Sequence, residues 1–339
     1  MGLSQQKMNW VELQKVLKPG EVVVEIIRFA QSKKQVTYMA LILTPKSKQP
    51  LSIILKNGKE LETNVIKRYL QTCGKDTQSY RRFWQPIHKK LMQAYSVVKK
   101  VYVSVDGIFH RVNLETLQIP ATGQFVFDMY AIHRVGSTKA IFDRPKSKLK
   151  VQPKKNPVLV GKPVFDSLPP IKLRHKDSLQ KSAATRYIHI ATHGYHMPTD
   201  SLKKLLNSRK GLLKMDSSWN LKEVKANSIL ADFEARNLSL QKTELVVLSA
   251  DETGVGKIVP GEGVYGLTRV FKYNGAKYII ASLWKINRAA TLQLMTDFYR
   301  YLPQTPGGNG YHQALRKAKS QLRKQYPDPK DWGAFVLFE

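Results

Sequence analysis

TELVVLSADETG, residues 243–254, decides how this chain is read. Leu245, Val246, Val247 and Leu248 are apolar on both phases of a strand's two-residue alternation. That is the composition of a strand covered on both faces, as in a parallel sheet. The run then drops into a small, polar loop with a glycine, where α/β proteins place ligands and reacting groups, beyond the carboxyl ends of their strands. The residue at the mouth of that loop is Asp251, and no Cys or Ser follows before Gly256.

Three further runs share this character: PVLVG (157–161), RYIHIATHG (186–194) and AKYIIASLW (276–284). Helical patterns follow or separate them in GVYGLTRVFKYNG (263–275), RAATLQLMTDFYRYL (288–302) and GYHQALRKAKSQLRKQ (310–325), and WGAFVLFE (332–339) reads as a last strand. Strands alternating with helices predict an open α/β sheet. Two strand ends carry polar loops, one at His193-Gly194 and one at Asp251-Glu252.

The first half has its own rhythm. Residues 8–18 place Trp10, Leu13, Val16 and Leu17 at helical spacing, and Pro19-Gly20 ends the pattern. EVVVEIIRF, VTYMALIL and LSIIL read as strands, the last leading to a turn at Asn57-Gly58. Residues 61–98 read as helical, with Trp84, Ile87, Leu91 and Tyr95 on one face. VKKVYVSVDGIFHRV (98–112) reads as two strands around Asp106-Gly107, and 124–136 as a strand. The expected organisation is residues 1–145, a basic linker at 146–157, and residues 158–339.

The chain has 339 residues, 42% of them hydrophobic, which excludes disorder as the default. No apolar run reaches the roughly 18 residues of a membrane helix. The opening MGLSQQKMNW lacks the apolar core of a secretory signal, and Gln6 stands where a myristoylation signal needs Ser or Thr. The single cysteine, Cys73, forms no internal disulfide and has no nearby base in sequence. An intracellular protein of the cytoplasm or an organelle matrix such as the mitochondrion is expected.

Charge is the strongest compositional feature. Lys and Arg number 56 against 25 Asp and Glu, a net charge of +31. Residues 1–156 hold 28 basic and 10 acidic residues, and residues 157–339 hold 28 and 15, so the excess is no local tail. Such a field favours a polyanion, RNA or a ribonucleoprotein particle, or an acidic protein. Two segments are candidate contacts. One is the linker RPKSKLKVQPKKNP, with Arg144, Lys146, Lys148, Lys150, Lys154 and Lys155. The other is the 310–325 helix, where Leu315, Ala318 and Leu322 form the inward stripe and Arg316, Lys317, Lys319, Arg323 and Lys324 are expected outward. The plain alternative for both is a solvated surface. The aromatic residues of SYRRFWQPIHKK, Phe83 and Trp84, could stack on bases, but core is the expected role.

A histidine at one strand end and a nucleophile at another is the arrangement of caspase-type cysteine peptidases, in which a thiolate attacks and an imidazole moves protons. With these residues in view, the sequence resembles the CHAT domain, a caspase-like peptidase family related to separase and often found behind tetratricopeptide repeats. HIATHG (189–194) is similar to its histidine motif, and ELVVLSA-ETG (244–254) to its nucleophile motif. GEGVYGL (261–267), GAKYIIASLWKI (275–286), TLQLMTDFY (291–299) and WGAFVL (332–337) continue the pattern in order. W-V-Q-LKPGEVVVEIIRF, YMALIL, VYVSVDGIFHRVNLETL and VLVGKPVFD resemble its amino-terminal part. The resemblance implies a caspase-like sheet flanked by helices, preceded by a degenerate caspase-like half. It implies a catalytic role for the position of His193, an oxyanion-hole role for Gly194, and the catalytic cysteine position for Asp251.

That last position departs from the family. A carboxylate with a pKa near 3.9 is ionised at neutral pH. It is a poor nucleophile toward an amide, and its charge opposes the oxyanion of the reaction. It is expected instead to pair with a protonated His193. Two other segments also depart from the family: the short span from Asp166 to Arg186, and the lysine-rich YHMPTDSLKKLLNSRKGLLKMD (195–216). These departures imply a catalytically inactive pseudopeptidase, and the +31 charge adds the expectation of a basic structural or interaction subunit. The alternatives are an inactivated variant of an active cysteine peptidase and a regulatory, peptide-binding pseudoenzyme. His193, His196, Asp251, Glu252 and Glu262 lack metal-site spacing, and GEGVYG lacks the lysine of a phosphate loop, so no metal or cofactor is expected.

Overall fold

The computed structural model describes residues 9–30, 35–142, 158–161, 186–191, 193–195, 212–214, 229–231, 238–255, 257–259, 263–305 and 310–339. The chain divides into two compact units, Met1–Ser147 and Lys148–Glu339. No helix among the described residues is long and apolar enough to cross a membrane.

In the first unit a short helix α1 (Trp10–Lys15) precedes strands β1 (Glu21–Ala30), β2 (Val36–Leu43) and β3 (Leu51–Leu55). A helical stretch follows: α2 (Gly58–Glu60), a π turn (Leu61–Val65), α3 (Ile66–Thr72), α4 (Thr77–Phe83) and α5 (Gln85–Ala94). Then come β4 (Lys100–Ser104), a 3-10 turn at Gly107–Arg111, α6 (Val126–Met129) and β5 (Ala131–Val135). The strand order is β3-β2-β1-β4-β5, with β1, β4 and β5 parallel and β2 and β3 antiparallel to their neighbours. Apolar residues fill both phases of β1, so both faces take part in packing. On one face Val23, Leu43, Tyr102 and Val135 meet Leu17 and Ile141. Phe83, Trp84, Ile87 and Leu91 of the helical stretch are fully buried, which places Phe83 and Trp84 in the core as expected.

Four expectations here need correction. The helix expected at 8–18 is shorter, because Asn9 and Glu12 form a capping box that starts it at Trp10 and the chain turns at Val16. The helix expected through 61–98 is broken at Cys73, which adopts a left-handed φ of 50°, followed by Gly74 at 87°. The second strand expected after Asp106-Gly107 is a 3-10 turn. Asp106 caps it by accepting the Gly107 amide at 2.7 Å, while its other oxygen accepts the Arg28 amide at 3.1 Å. The strand expected from 124 begins only at Ala131, because Asp128 accepts the Phe125 amide at 2.9 Å and closes a helical turn first.

The second unit contains β6 (Val158–Gly161), β7 (Tyr187–Ala191), β8 (His193–Tyr195), β9 (Leu212–Lys214), β10 (Ile229–Ala231) and β11 (Leu245–Ser249). It continues with β12 (Lys257–Val259), β13 (Gly263–Tyr265), α7 (Leu267–Tyr273) and β14 (Tyr278–Ser282). It ends with α8 (Arg288–Tyr301), α9 (Gly310–Gln325), α10 (Pro329–Trp332) and β15 (Phe335–Phe338). The order is β15-β14-β11-β7-β6, parallel except for β15. The four apolar runs read from the sequence are these four parallel strands. One face, with Ile188, Ile190, Val246, Leu248, Ile279 and Ala281, packs on Leu267 and Phe271 of α7. The other carries His189 and Tyr278, whose rings meet Tyr299 of α8 and Tyr311 of α9. β8, β9 and β10 form a separate antiparallel sheet, and β12 and β13 a hairpin. The helix expected from Gly263 therefore starts at Leu267, because residues 263–265 are paired as a strand.

Candidate functional site

β7 and β11 are parallel neighbours, and Ala191 pairs with Ser249 at their carboxyl ends. His193 and Asp251 each lie two residues past that pair, so the register brings both expected positions to adjacent strand ends. His193 and Gly194 open β8, where they pair with Lys214 and Leu213. Their side-chain surroundings, and with them the expected pairing of His193 with Asp251, lie outside the described residues.

Asp251 has a defined partner. Its Oδ1 accepts the backbone N–H of Ile286 at 2.8 Å, tying the loop after β11 to the loop after β14. The rest of the turn is held just as closely. The buried Thr253 hydroxyl donates to the carbonyls of Leu248 at 3.0 Å and Ala250 at 3.3 Å. It also accepts the Ser282 amide at 3.2 Å. Gly254 donates to the Ser282 carbonyl at 2.7 Å, and a Cβ at Gly254 would stand 3.0 Å from that same oxygen. Glu252 takes the left-handed φ of 54° that turns the chain, and is exposed. Asp251 is thus one acceptor among several in a turn locked onto the end of β14. Asp251→Ala is expected to cost about 1 kcal/mol in urea unfolding, and Asp251→Asn, which keeps an accepting oxygen, much less.

A second polar group lies beneath this turn, and sequence reading missed it. His189 is buried, with Nε2 2.7 Å from the Ser249 hydroxyl and Nδ1 3.0 Å from the Tyr299 hydroxyl. Burial lowers its pKa to about 3, so the ring is neutral. Burial also raises the Tyr299 phenol above its ordinary value. A neutral imidazole between two hydroxyls satisfies every polar atom of the set and anchors the last residue of β11. The signal in sequence was a histidine inside a run covered on both faces, which must find partners.

The thiol chemistry that this arrangement would need is absent from residues 148–339, which contain no cysteine. Cys73 lies in the other unit and is buried. For the metal alternative, His196, Glu262 and the side chain of His193 lie outside the described residues.

The expected nucleic-acid contacts divide. Arg144, Lys146, Lys148, Lys150, Lys154 and Lys155 lie outside the described residues. On α9, Leu315, Ala318 and Leu322 face inward as expected, and Lys317 and Lys324 are exposed. Arg316 and Arg323 are half-buried, and the Arg323 guanidinium stacks 4.7 Å from the Trp332 ring centre. Lys319 is a correction: it is 2% exposed. Position 319 is four residues from Leu315 and three from Leu322, so the helical repeat puts it on the inward stripe.

The family model for the CHAT domain matches residues 171–339. Among curated proteins, none matches the chain. Two crystal structures of the Saccharomyces cerevisiae separase–securin complex are similar in fold. The one at 3.0 Å resolution has a TM-score of 0.53 and 10% identity over 96% of this chain, and the one at 2.6 Å has 0.54 and 10% over 97%. In each, only 30% of the matched chain is covered. The Arg-specific cysteine proteinase gingipain R, from Porphyromonas gingivalis, aligns at 11% identity over 83% of this chain and 74% of its own, with a TM-score of 0.48, too loose to argue from. The likeness to separase places the α/β sheet and its flanking helices among caspase-like folds. The carboxyl-terminal half of this chain, residues 171–339, is a CHAT domain.

Proposed function

We propose that this CHAT domain is a pseudopeptidase, and that the chain serves as a basic interaction subunit that holds RNA or an RNA-containing particle. One observation carries the first part. Asp251, at the position that the resemblance gives to the nucleophile, is a carboxylate, and one of its oxygens accepts the Ile286 amide at 2.8 Å. An attacking carboxylate would give a mixed anhydride, less stable than the amide it replaced. Its charge would also oppose the developing oxyanion that a neighbouring N–H is there to stabilise. The +31 charge supports the second part, because a field of that size concentrates polyanions at the surface.

The purified chain is expected to leave a peptide library uncut. Asp251→Cys is expected to gain no cleavage while remaining folded by circular dichroism, since the segments from Asp166 to Arg186 and 195–216 also depart from the family in sequence. Cleavage at a defined bond that disappears in His193→Ala would overturn the pseudopeptidase reading. In a filter-binding assay the chain should hold RNA with an affinity that falls steeply as salt rises, because each neutralised phosphate releases counterions. Tight binding of a defined peptide, with little salt dependence and no RNA binding, would favour a regulatory peptide binder instead.

A further inference from the structure

We propose that the outer face of α9 is a track for single-stranded nucleic acid, with Tyr301 as a platform for a base. The proposal rests on the polyanion reading above and gives it a place and a ligand form. Gln313, Arg316, Lys317, Ser320, Gln321 and Lys324 follow one another at steps of three, one, three, one and three residues. That repeat puts all six on one stripe of a helix, over three turns, about 16 Å long. Together with Tyr301 at the end of α8 they line a groove of about 520 Å³.

The chemistry of the lining is one-sided. Among the described residues it holds three cations, two amides, a serine hydroxyl and a tyrosine phenol, and no carboxylate. Asp297, the one acidic residue of α8, is fully buried and pairs with Arg300 at 2.6 Å. The Lys317 ammonium sits 5.9 Å from the Tyr301 ring centre, which places a cation beside an aromatic surface. Cations spaced along a groove neutralise successive phosphates, amides and hydroxyls hydrogen-bond the edges of unpaired bases, and an aromatic ring stacks a base whatever its identity. A duplex hides its base faces from a ring at the groove end, so the aromatic residue favours a single strand. Lys319 and Arg323, outward by simple inspection of the sequence, take no part: one is buried and the other stacks on Trp332.

The test uses fluorescence anisotropy of the full chain with labelled twelve-nucleotide oligouridylate, oligothymidylate and an RNA duplex, from 50 to 200 mM salt. The combined variant Arg316→Gln, Lys317→Gln and Lys324→Gln is expected to reduce the salt slope on the single strands by about 2, the contribution of three phosphate contacts. Tyr301→Ala is expected to weaken binding about tenfold with the slope unchanged, and Tyr301→Phe to restore it. A control variant, Lys18→Gln, Lys46→Gln and Lys48→Gln, removes equal charge in the other unit and should leave the slope within experimental error. Equal loss in both triple variants would overturn the groove and leave a diffuse field. Preference for the duplex, or indifference to Tyr301→Ala, would overturn the single-strand form. Binding of none of the three probes would overturn the polyanion reading itself. Oligouridylate and oligothymidylate held alike mean a track blind to the sugar, and a preference for one names the natural strand. Circular dichroism checks that each variant folds, and the single substitution Lys317→Gln, at an exposed site, serves if the triple does not.

Discussion

Acidification from pH 6.5 towards 3 is expected to destabilise each unit by about 1.4 kcal/mol per pH unit for each histidine held neutral by burial. In the second unit that residue is His189, with its pKa lowered to about 3 by burial. In the first, half-buried His110 is likewise lowered to about 3, by burial and then by the Arg134 cation. His88 in the same unit is lowered by burial as well. The folded protein keeps these rings neutral, whereas the unfolded chain protonates them near pH 6.5. The unfolded state therefore binds more protons throughout the window. Stability is complete above pH 6.5 and falls as the pH drops towards 3. Urea unfolding at steps from pH 7 to 5 measures the slope above the range in which carboxylates titrate. His189→Gln should flatten it for the carboxyl-terminal unit, since an amide can still bond Ser249 and Tyr299 without taking a proton. A slope unchanged by that substitution would show that His189 is protonated in the fold, and the Ser249–His189–Tyr299 set would then need a charged ring.

Trp84→Ala is expected to cost the amino-terminal unit about 3–5 kcal/mol, the range for a large aromatic residue lost from a packed interior. Trp84 has no exposed surface, and its indole N–H donates to the Tyr130 hydroxyl at 2.6 Å. The truncation removes the packing and leaves a buried phenol without its donor. Thermal or urea unfolding reads the loss. Nucleic-acid affinity, compared at equal folded fraction, should not change. The opposite outcome, weak binding with intact stability, would mean that the basic-aromatic stretch around Trp84 is a binding surface. Trp84 and Tyr301 are both aromatic residues near cations, but Trp84 is sealed in a core and Tyr301 lines an open groove.

Much of the second unit was legible because its strands are covered on both faces. PVLVG, RYIHIATHG, TELVVLSADETG and AKYIIASLW hold apolar residues in both phases, and no helix or half-exposed strand of that length needs them. The strand-end positions of His193 and Asp251 followed from counting past the apolar run. The short elements were not legible. The 3-10 turn at 107–111, the helical turn at 126–129 and the strand at 263–265 have only a few residues each. Their form is set by one capping carboxylate or by a pairing partner, and neither has a periodic signature.

Residue order by itself determined the α/β class and the excess of positive charge, because each is a matter of local period or composition; that Asp251 stands where the family has a cysteine is what the resemblance implies. Tertiary structure alone decided what those residues touch. His189 meets Ser249 and Tyr299 from 60 and 110 residues away, and Asp251 meets Ile286 from 35. Lys319 lost its expected place at the surface to the packing of α9. Hydrogen bonds and burial depend on distance in space, which the order of residues does not contain until the sheet register has been set.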